Sequence, residues 1–311
     1  MIAVCPNPFR DIGLEITKKA VSMLNGAGYK TAVCPVFCED KPGVVPDSVE
    51  SIDILDIVGD CSLIIVIGGD GTINQCVNTI PDFTRAELSV LPTGSGNDFC
   101  RNKAIPKTLE EQIDNIVNKK NIRMVDRGVI TYTLTTKETI TRNFVVSTGF
   151  GYDAAICHMA ERSKLKKTLN KIKLGKLVYL AIGVKEIFGA KLTDMGITID
   201  GETKQYKNVF FIATMNQPFE GGGVAMTPSA SDCDETLDFL IFSGVSKLKA
   251  LCTIPLLYVK KHAGKPGVTL LTGKTVSVTS SSERILHFDG DSLEGCTGFD
   301  AKLDGKVKVI F

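Results

Sequence analysis

Short apolar runs alternate with helical patterns over roughly the first 125 residues of the chain. The apolar runs predict strands at Ile2 to Cys5, Thr31 to Val36, Leu63 to Ile67 and Leu88 to Leu91. Between them, Leu14 to Gly26 and Asp47 to Val58 have the spacing of helices. Alternation of this kind is typical of an α/β fold with a parallel sheet. The pattern therefore predicts one α/β domain over residues 1–127.

The pattern changes after Asp126, where the apolar runs become β-branched and aromatic and are separated by Gly, Pro and Asp. Asn143 to Ser147, Asn208 to Thr214 and Lys274 to Thr279 are examples. They predict a mostly antiparallel β-sandwich domain over residues 128–311. A helical insertion rich in lysine interrupts it near residues 154–188. Such a helix either lies on an anionic membrane surface or presents a solvated face, and both readings stay open.

The composition and charge of the chain favour a globular protein over nucleic-acid-binding, membrane-spanning and secreted classes. Hydrophobic residues make up 43% and charged residues 23%, with a net charge of +1, which is ordinary for a globular protein and gives no basic footprint for nucleic acid. No run reaches the roughly 18 apolar residues of a membrane span, and Met1 to Pro6 does not resemble a signal peptide. We therefore expect a cytoplasmic protein, with peripheral contact at the inner face of the membrane as an alternative. The sequence is also compatible with a homodimer.

The chain has 10 cysteines but no CxxC pair. They are expected to be ordinary thiols in a reducing compartment. Metal binding by Cys34 and Cys38 is the alternative.

A glycine-rich turn follows the third predicted strand, as Gly68-Gly-Asp-Gly-Thr72. Glycines there let backbone N–H groups approach phosphate oxygens, and the N-terminus of the following helix favours negative charge. The residues expected on phosphate are Gly68, Gly69, Asp70, Gly71 and Thr72. The plain alternative is a tight strand-to-helix turn.

A second loop of this kind, Pro92-Thr-Gly-Ser-Gly-Asn-Asp-Phe99, follows the fourth predicted strand. Loops at the carboxyl ends of adjacent parallel strands face the same crevice, so both loops are expected at one nucleotide. Asp70 and Asp98 are candidate ligands for Mg²⁺. As an alternative, the residues of the second loop only cap the following helix. The phosphate-binding candidates in this loop are Thr93, Gly94, Ser95 and Asn97.

The usual nucleotide motifs are absent. Neither loop matches GxxxxGK[ST], and Gly149-Phe-Gly-Tyr-Asp153 lacks the third glycine of a dinucleotide fingerprint. The two loops instead resemble those of the bacterial diacylglycerol kinase family, which belongs with sphingosine and NAD kinases. The resemblance extends in order and spacing over nearly the whole chain, through Val125-Asp-Arg-Gly128, Gly149 to Asp153, Gly221-Gly-Gly223 with Pro228, and Phe288-Asp-Gly-Asp291.

The resemblance implies a two-domain kinase with its active site in the cleft between the domains. It implies that Asp70, Asp98 and Asp126 hold Mg²⁺ and ATP, and that Asp289 is the general base. Asp291 stands where the family usually has Glu, with one methylene fewer. A second, structural Mg²⁺ would be held by Asp232, Asp234 and the carbonyl of Leu237.

Two positions depart from the family pattern. Asp234-Glu235 replaces its usual Asp-Gly pair, and Asn7-Pro-Phe-Arg10 replaces its Asn-Pro-x-Ser-Gly opening. Asn7 and Arg10 are the candidates near the nucleotide, with Arg10 as a substitute phosphate-binding group. This opening looks more like that of an NAD kinase, although that family's Gly-rich loop with an Asn-Glu pair is missing.

The sequence thus predicts an ATP- and Mg²⁺-dependent lipid kinase that phosphorylates the hydroxyl of diacylglycerol or a similar lipid at the membrane surface, giving phosphatidic acid. Two alternatives remain: an NAD kinase or sphingoid-base kinase relative, and a nucleotide-binding regulator without catalysis.

Overall fold

This computed structural model describes residues 1–37, 43–80, 85–162, 183 and 186–311. The chain forms two compact units, Met1–Val125 with Gly305–Phe311, and Asp126–Asp304. The sequence analysis assigned the last seven residues to the second domain, but they belong to the first unit. The reason is strand pairing, because Val309 and Ile310 lie parallel to Leu88 and Ser89.

The first unit is built on a parallel sheet. Its strands are β1 (Ile2–Pro6), β2 (Thr31–Val33), β3 (Leu63–Gly68) and β4 (Glu87–Pro92), in the order β4-β3-β1-β2. Buried aliphatic side chains of the sheet pack against the helices and confirm the predicted α/β class. The α-helices are α1 (Glu15–Gly26), α2 (Ile54–Ile57), α3 (Asp70–Thr79) and α4 (Leu109–Val117), with 3₁₀ turns at Ile12–Leu14 and Val58–Asp60.

The helix predicted over Asp47 to Val58 is wrong for most of its length. The backbone N–H of Ile52 donates to the carbonyl of Val33, which holds the segment alongside the end of β2. The Asp53 carboxylate then accepts from the N–H of Leu55, so the helix begins only at Ile54. Strand β2 is also shorter than predicted and ends at Val33.

The second unit consists mainly of antiparallel strands, as predicted. They pair in the order β13-β12-β9-β7-β14-β15, with β8 between β14 and β9. Two buried clusters form its core. The strands are β5 (Ile122–Leu134), β6 (Thr139–Phe144), β7 (Ser147–Gly151), β8 (Thr193–Ile199), β9 (Glu202–Met215), β10 (Phe219–Glu220), β11 (Val224–Ala225), β12 (Leu237–Ser243), β13 (Val268–Gly273), β14 (Thr275–Phe288) and β15 (Asp291–Ile310).

The second unit also contains the helices α5 (Tyr152–Arg162), α6 (Lys247–Thr253) and α7 (Pro255–Tyr258). Helix α5 begins the predicted insertion, and residues 186–189 near its end are helical too. The lysine-rich stretch between them lies outside the described residues. Within the described parts of the chain, no helix is both long and apolar enough to cross a bilayer.

Candidate functional site

The two glycine-rich loops of the first unit lie against each other. A side chain at Gly69 would come within 2.9 Å of the Gly94 Cα, and one at Gly94 within 2.6 Å of the Gly69 Cα. The N–H of Thr93 also donates to the carbonyl of Gly68 at 2.8 Å. At Gly68 an added Cβ would collide with Thr72. The loops therefore approach this closely because neither has a Cβ at the contact.

Asp70 links the two loops. It begins α3, and its carboxylate accepts hydrogen bonds from the backbone N–H groups of Asp98 and Phe99, each at 3.0 Å. The Asp98 carboxylate is buried and bound by Arg101 Nε at 2.7 Å. Both predicted metal ligands of this unit thus lie where β3 and β4 end, and both carboxylates also hold the loops in place.

The second loop contains polar atoms that suit a ligand. The hydroxyl of Thr93 and the side-chain oxygen of Asn97 are buried and find no hydrogen-bond partner among the described residues. Buried polar atoms usually have partners, so these two atoms are suited to a bound group. The Thr93 hydroxyl can donate to a phosphate oxygen, and an amide oxygen suits a hard cation. Ser95 is exposed at the tip of the loop. The residues present therefore fit a phosphate group with a divalent cation.

Asn7 and Arg10 follow β1, whose end lies at the same edge of the sheet as Gly68. Asn7 is buried, and its side-chain amide donates to Thr72 Oγ1 at 3.1 Å, which connects β1 to the first turn of α3. Arg10 is exposed, with its guanidinium 5.6 Å from the centre of the Phe9 ring. Asp11, which the sequence analysis missed, accepts three hydrogen bonds from Ile16 and Thr17 and so holds the first turn of α1 in place.

Asp126 lies in the second unit and is tied to the acidic turn before β12. Its N–H donates to the carbonyl of Asp232 at 2.7 Å, and its carboxylate accepts from the N–H of Glu235 at 2.8 Å. Asp232 is buried, whereas Asp234 is exposed and binds the N–H and hydroxyl of Thr236. The structure therefore brings Asp126 together with the residues of the predicted second metal site, next to the start of β12 at Leu237.

Glu235 adopts a left-handed backbone conformation, with φ of 63°. This conformation favours glycine. In the family that the sequence resembles this position is usually glycine, and here a glutamate adopts the conformation that glycine adopts most readily.

Asp289 is the centre of a turn between β14 and β15. Its buried carboxylate accepts hydrogen bonds from the backbone N–H groups of Val145, Val146 and Ser147 at 2.8, 2.8 and 3.0 Å. These bonds explain why the predicted strand over Asn143 to Ser147 is broken into β6 and β7: the N–H groups at the break donate to Asp289. Asp291 is half-buried and pairs with Phe288 at the start of β15.

A buried cluster of ionisable side chains lies beside Asp289, and the sequence analysis assigned it no chemistry. His287 Nε2 is 3.4 Å from Asp153 Oδ2 and 3.7 Å from Glu220 Oε2. Burial alone would lower the pKa of His287, but the interaction with Asp153 and the negative charges of Glu220 and Asp289 outweigh it and raise this pKa to about 9. The spacing of His287 two residues before Asp289 is a signal that sequence reasoning could have used; Glu220 carries no such signal.

Asp153 and Glu220 face an apolar pocket in the second unit. The space in the pocket that the centre of a water-sized sphere can occupy is about 70 Å³. Tyr152 and Tyr258 also line it, and burial raises the pKa of both phenols, which therefore stay neutral. Its other walls are largely aliphatic, with Ile156, Val224, Met226, Leu251, Ile254 and Leu257. The pocket suits a ligand with an apolar chain and a polar end.

Comparisons with known proteins agree with this arrangement. Residues 10–130 match the diacylglycerol kinase catalytic domain, and residues 145–308 match the YegS C-terminal NAD kinase beta sandwich-like domain. The second match alone covers more than half of the chain.

Individual proteins are similar too. "Putative lipid kinase YtlR" of Bacillus subtilis (strain 168) is 30% identical over 236 residues, which is 76% of this chain and 75% of that protein. The diacylglycerol kinase of the same organism is 26% identical over 90% of this chain and 86% of its own length. The crystal structure of a diacylglycerol kinase from Bacillus anthracis strain Sterne superposes with a TM-score of 0.65 at 17% identity, covering 100% of this chain and 96% of that one.

These matches show the two-domain fold shared with NAD kinases and an ATP-dependent kinase catalytic domain. The chain belongs to the diacylglycerol kinase-like family of lipid kinases.

Proposed function

We propose that this kinase transfers the γ-phosphoryl group of ATP to the hydroxyl of diacylglycerol or a closely similar lipid, with Mg²⁺ as the metal, giving phosphatidic acid. The observation that supports a lipid acceptor is the pocket of the second unit, where aliphatic walls stand beside the buried polar ends of Asp153 and Glu220. An acyl chain is complementary to such walls because its burial removes apolar surface from water.

The paired loops of the first unit are the proposed site for the ATP phosphates. Gly69 and Gly94 leave the backbone accessible, and Thr93 offers a hydroxyl. Helix α3 begins at Asp70, so its N-terminus lies at the first loop. Backbone N–H groups and the end of a helix are suited to phosphate oxygens. When bound, Mg²⁺ neutralises charge on the phosphates; Asp70 and Asp98 are its proposed ligands in the first unit.

Phosphoryl transfer depends more on positioning and charge neutralisation than on covalent help from the protein. The acceptor oxygen forms a bond to the γ-phosphorus, the bond from that phosphorus to the β–γ bridging oxygen breaks, and ADP leaves. We propose that Asp289 takes the proton of the acceptor hydroxyl. Its three bonds to backbone N–H groups would hold the carboxylate in one orientation for that role.

The proposed acceptor can be tested directly with γ-³²P-labelled ATP. The enzyme is offered diacylglycerol, sphingosine or NAD in separate reactions with Mg²⁺, and the products are separated by thin-layer chromatography. We expect labelled phosphatidic acid from diacylglycerol. Label in the sphingosine or NAD reaction alone would assign the chain to the alternative kinases, and no transfer to any acceptor would argue for a regulator.

A further inference from the structure

Asp153, Glu220 and His287 converge from three elements of the second unit, namely α5, β10 and β14. Their exposed fractions are 4%, 5% and 1%. One potential ligand atom from each lies within 4.8 Å of the others. Three ionisable groups so close together in a buried place require either very good mutual hydrogen bonding or a ligand.

Mutual hydrogen bonding does not account for the cluster. Neither oxygen of Asp153 and neither ring nitrogen of His287 makes a hydrogen bond within the described chain. The 3.4 Å between His287 Nε2 and Asp153 Oδ2 is longer than the usual limit of about 3.2 Å. An added Cβ on Gly149 would collide with both of these atoms, so β7 has a glycine where they need the space. Asp153 therefore presents to the centre of the cluster a buried carboxylate that has His287 as an ion-pair partner but makes no hydrogen bond within the described chain.

Two distances in the cluster are close to those between ligands of a metal ion. Zinc binds imidazole nitrogen and carboxylate oxygen at about 2.0–2.2 Å, so two such ligands in tetrahedral geometry are about 3.3–3.5 Å apart. The separations of 3.4 and 3.7 Å from His287 Nε2 to the two carboxylates are close to this value. An imidazole with two carboxylates suits a first-row transition metal better than Mg²⁺, which prefers oxygen ligands alone.

We propose that Asp153, Glu220 and His287 form a binding site for a divalent transition-metal ion, with Zn²⁺ as the best fit. Three protein ligands leave one coordination position open, as in zinc sites that bind a water or substrate oxygen. Asp153 and Glu220 line the apolar pocket, and we propose that a hydroxyl or carbonyl oxygen of the pocket's occupant takes this position. The site uses residues of the second unit alone and needs no nucleotide.

The test is calorimetric titration of Zn²⁺ into the full chain, stripped of metal and free of nucleotide. We expect one ion per chain, and a loss of affinity on the order of 100-fold in His287→Gln and in Asp153→Asn. The matched control is His158→Gln, because His158 also lies beside a carboxylate, Glu294, but outside the cluster. It should bind Zn²⁺ like the unaltered protein.

Zinc K-edge X-ray absorption on the unaltered protein decides the question even if a variant fails to fold. We expect nitrogen and oxygen neighbours at about 2.0–2.1 Å with an imidazole contribution, whereas binding by the exposed Cys233 or Cys252 would give sulfur at about 2.3 Å. No stoichiometric Zn²⁺, a sulfur shell, or unchanged affinity in folded His287→Gln would overturn the proposal. Each of these results is independent of kinase activity, so the site can fail without the proposed function failing.

Discussion

The glycine-rich loops of the first unit and the ionisable cluster of the second are built in opposite ways. The loops consist of contiguous residues, and their close approach at Gly69 and Gly94 depends on backbone. The cluster consists of three side chains from residues 153, 220 and 287, and its contacts depend on how distant strands and helices are packed. A site built from backbone is sensitive to added atoms, whereas a site built from side chains is sensitive to removed charge. The substitutions below test this contrast.

The largest effect is expected from Gly69→Val. The added side chain would meet the Gly94 Cα at 2.9 Å or less and force the loops apart, so ATP binding should be abolished. Gly59→Ala is the matched control, because Gly59 lies outside the two loops and a Cβ there has no atom within 4 Å. Isothermal titration with ATP measures both, and circular dichroism checks folding. Unchanged ATP affinity in a folded Gly69→Val protein would remove these loops as the nucleotide site.

Asp289→Asn should reduce both turnover and stability. A general base contributes about 10²- to 10⁴-fold in rate, and hydrogen bonds to a charged acceptor contribute about 1.5–3 kcal/mol each, part of which the amide would keep. We therefore expect kcat on the accepted lipid to fall by that factor, together with a lower melting temperature.

Asp200→Asn separates the two roles of Asp289. Asp200 is also a left-handed turn aspartate, with φ of 47°, and its carboxylate accepts from the N–H groups of Lys274 and Thr275. The Asp200→Asn substitution should lower the melting temperature and leave kcat unchanged. If Asp289→Asn behaves the same way, keeping more than about half of kcat, its role is structural, and Asp70 becomes the first candidate for the base.

Two buried histidines should give the second unit opposite responses to pH. The pKa of His287 is raised to about 9 from 6.5, so the stability it contributes is complete below 6.5 and is lost as the pH rises through about 9. Burial lowers the pKa of His262, against the opposing effect of its hydrogen bonds to backbone, so its contribution is present above 6.5 and is lost as the pH falls.

Melting temperatures between pH 5 and about 10, in chelator and without nucleotide, measure both losses of stability. His287→Gln should reduce the loss at alkaline pH, and His262→Gln should reduce the loss at acid pH. The charged groups that face His287 are Asp153, Glu220 and Asp289. If the melting temperature of His287→Gln falls at alkaline pH as much as that of the unaltered protein, the proton on this cluster belongs to another group.

The smallest effect is expected from Glu235→Gly. A non-glycine residue in the left-handed region costs about 1–2 kcal/mol, and glycine at φ of 63° avoids that cost. Since glycine also gains freedom in the unfolded chain, the net gain should be below about 1 kcal/mol, measured by denaturant unfolding. Glu235→Ala, which keeps the Cβ, should give no gain. A loss of stability in Glu235→Gly would show that the glutamate side chain itself supports the turn.

Features set by neighbouring residues were accessible from the sequence. The strands β1, β3 and β4, helix α1, the glycine-rich loops and the change to antiparallel strands after Asp126 all follow from local periodicity and glycine spacing. The break between β6 and β7 did not, because it depends on Asp289, more than 140 residues away. The short α2 was missed for the same kind of reason, since the hydrogen bond from Ile52 to Val33 competes with helix formation.

What the sequence by itself determined is the two-part organisation, the family resemblance and the loops at Gly68 to Thr72 and Thr93 to Asp98. A glycine's freedom and a helix's N-terminus are properties of consecutive residues and can be recognised without the fold. Only the tertiary structure decided that His287 lies between Asp153 and Glu220, that Asp126 binds the turn at Asp232 to Glu235, and that the chain ends in the first unit. The physical reason is that burial and electrostatic coupling depend on distances between side chains, and long-range packing sets those distances.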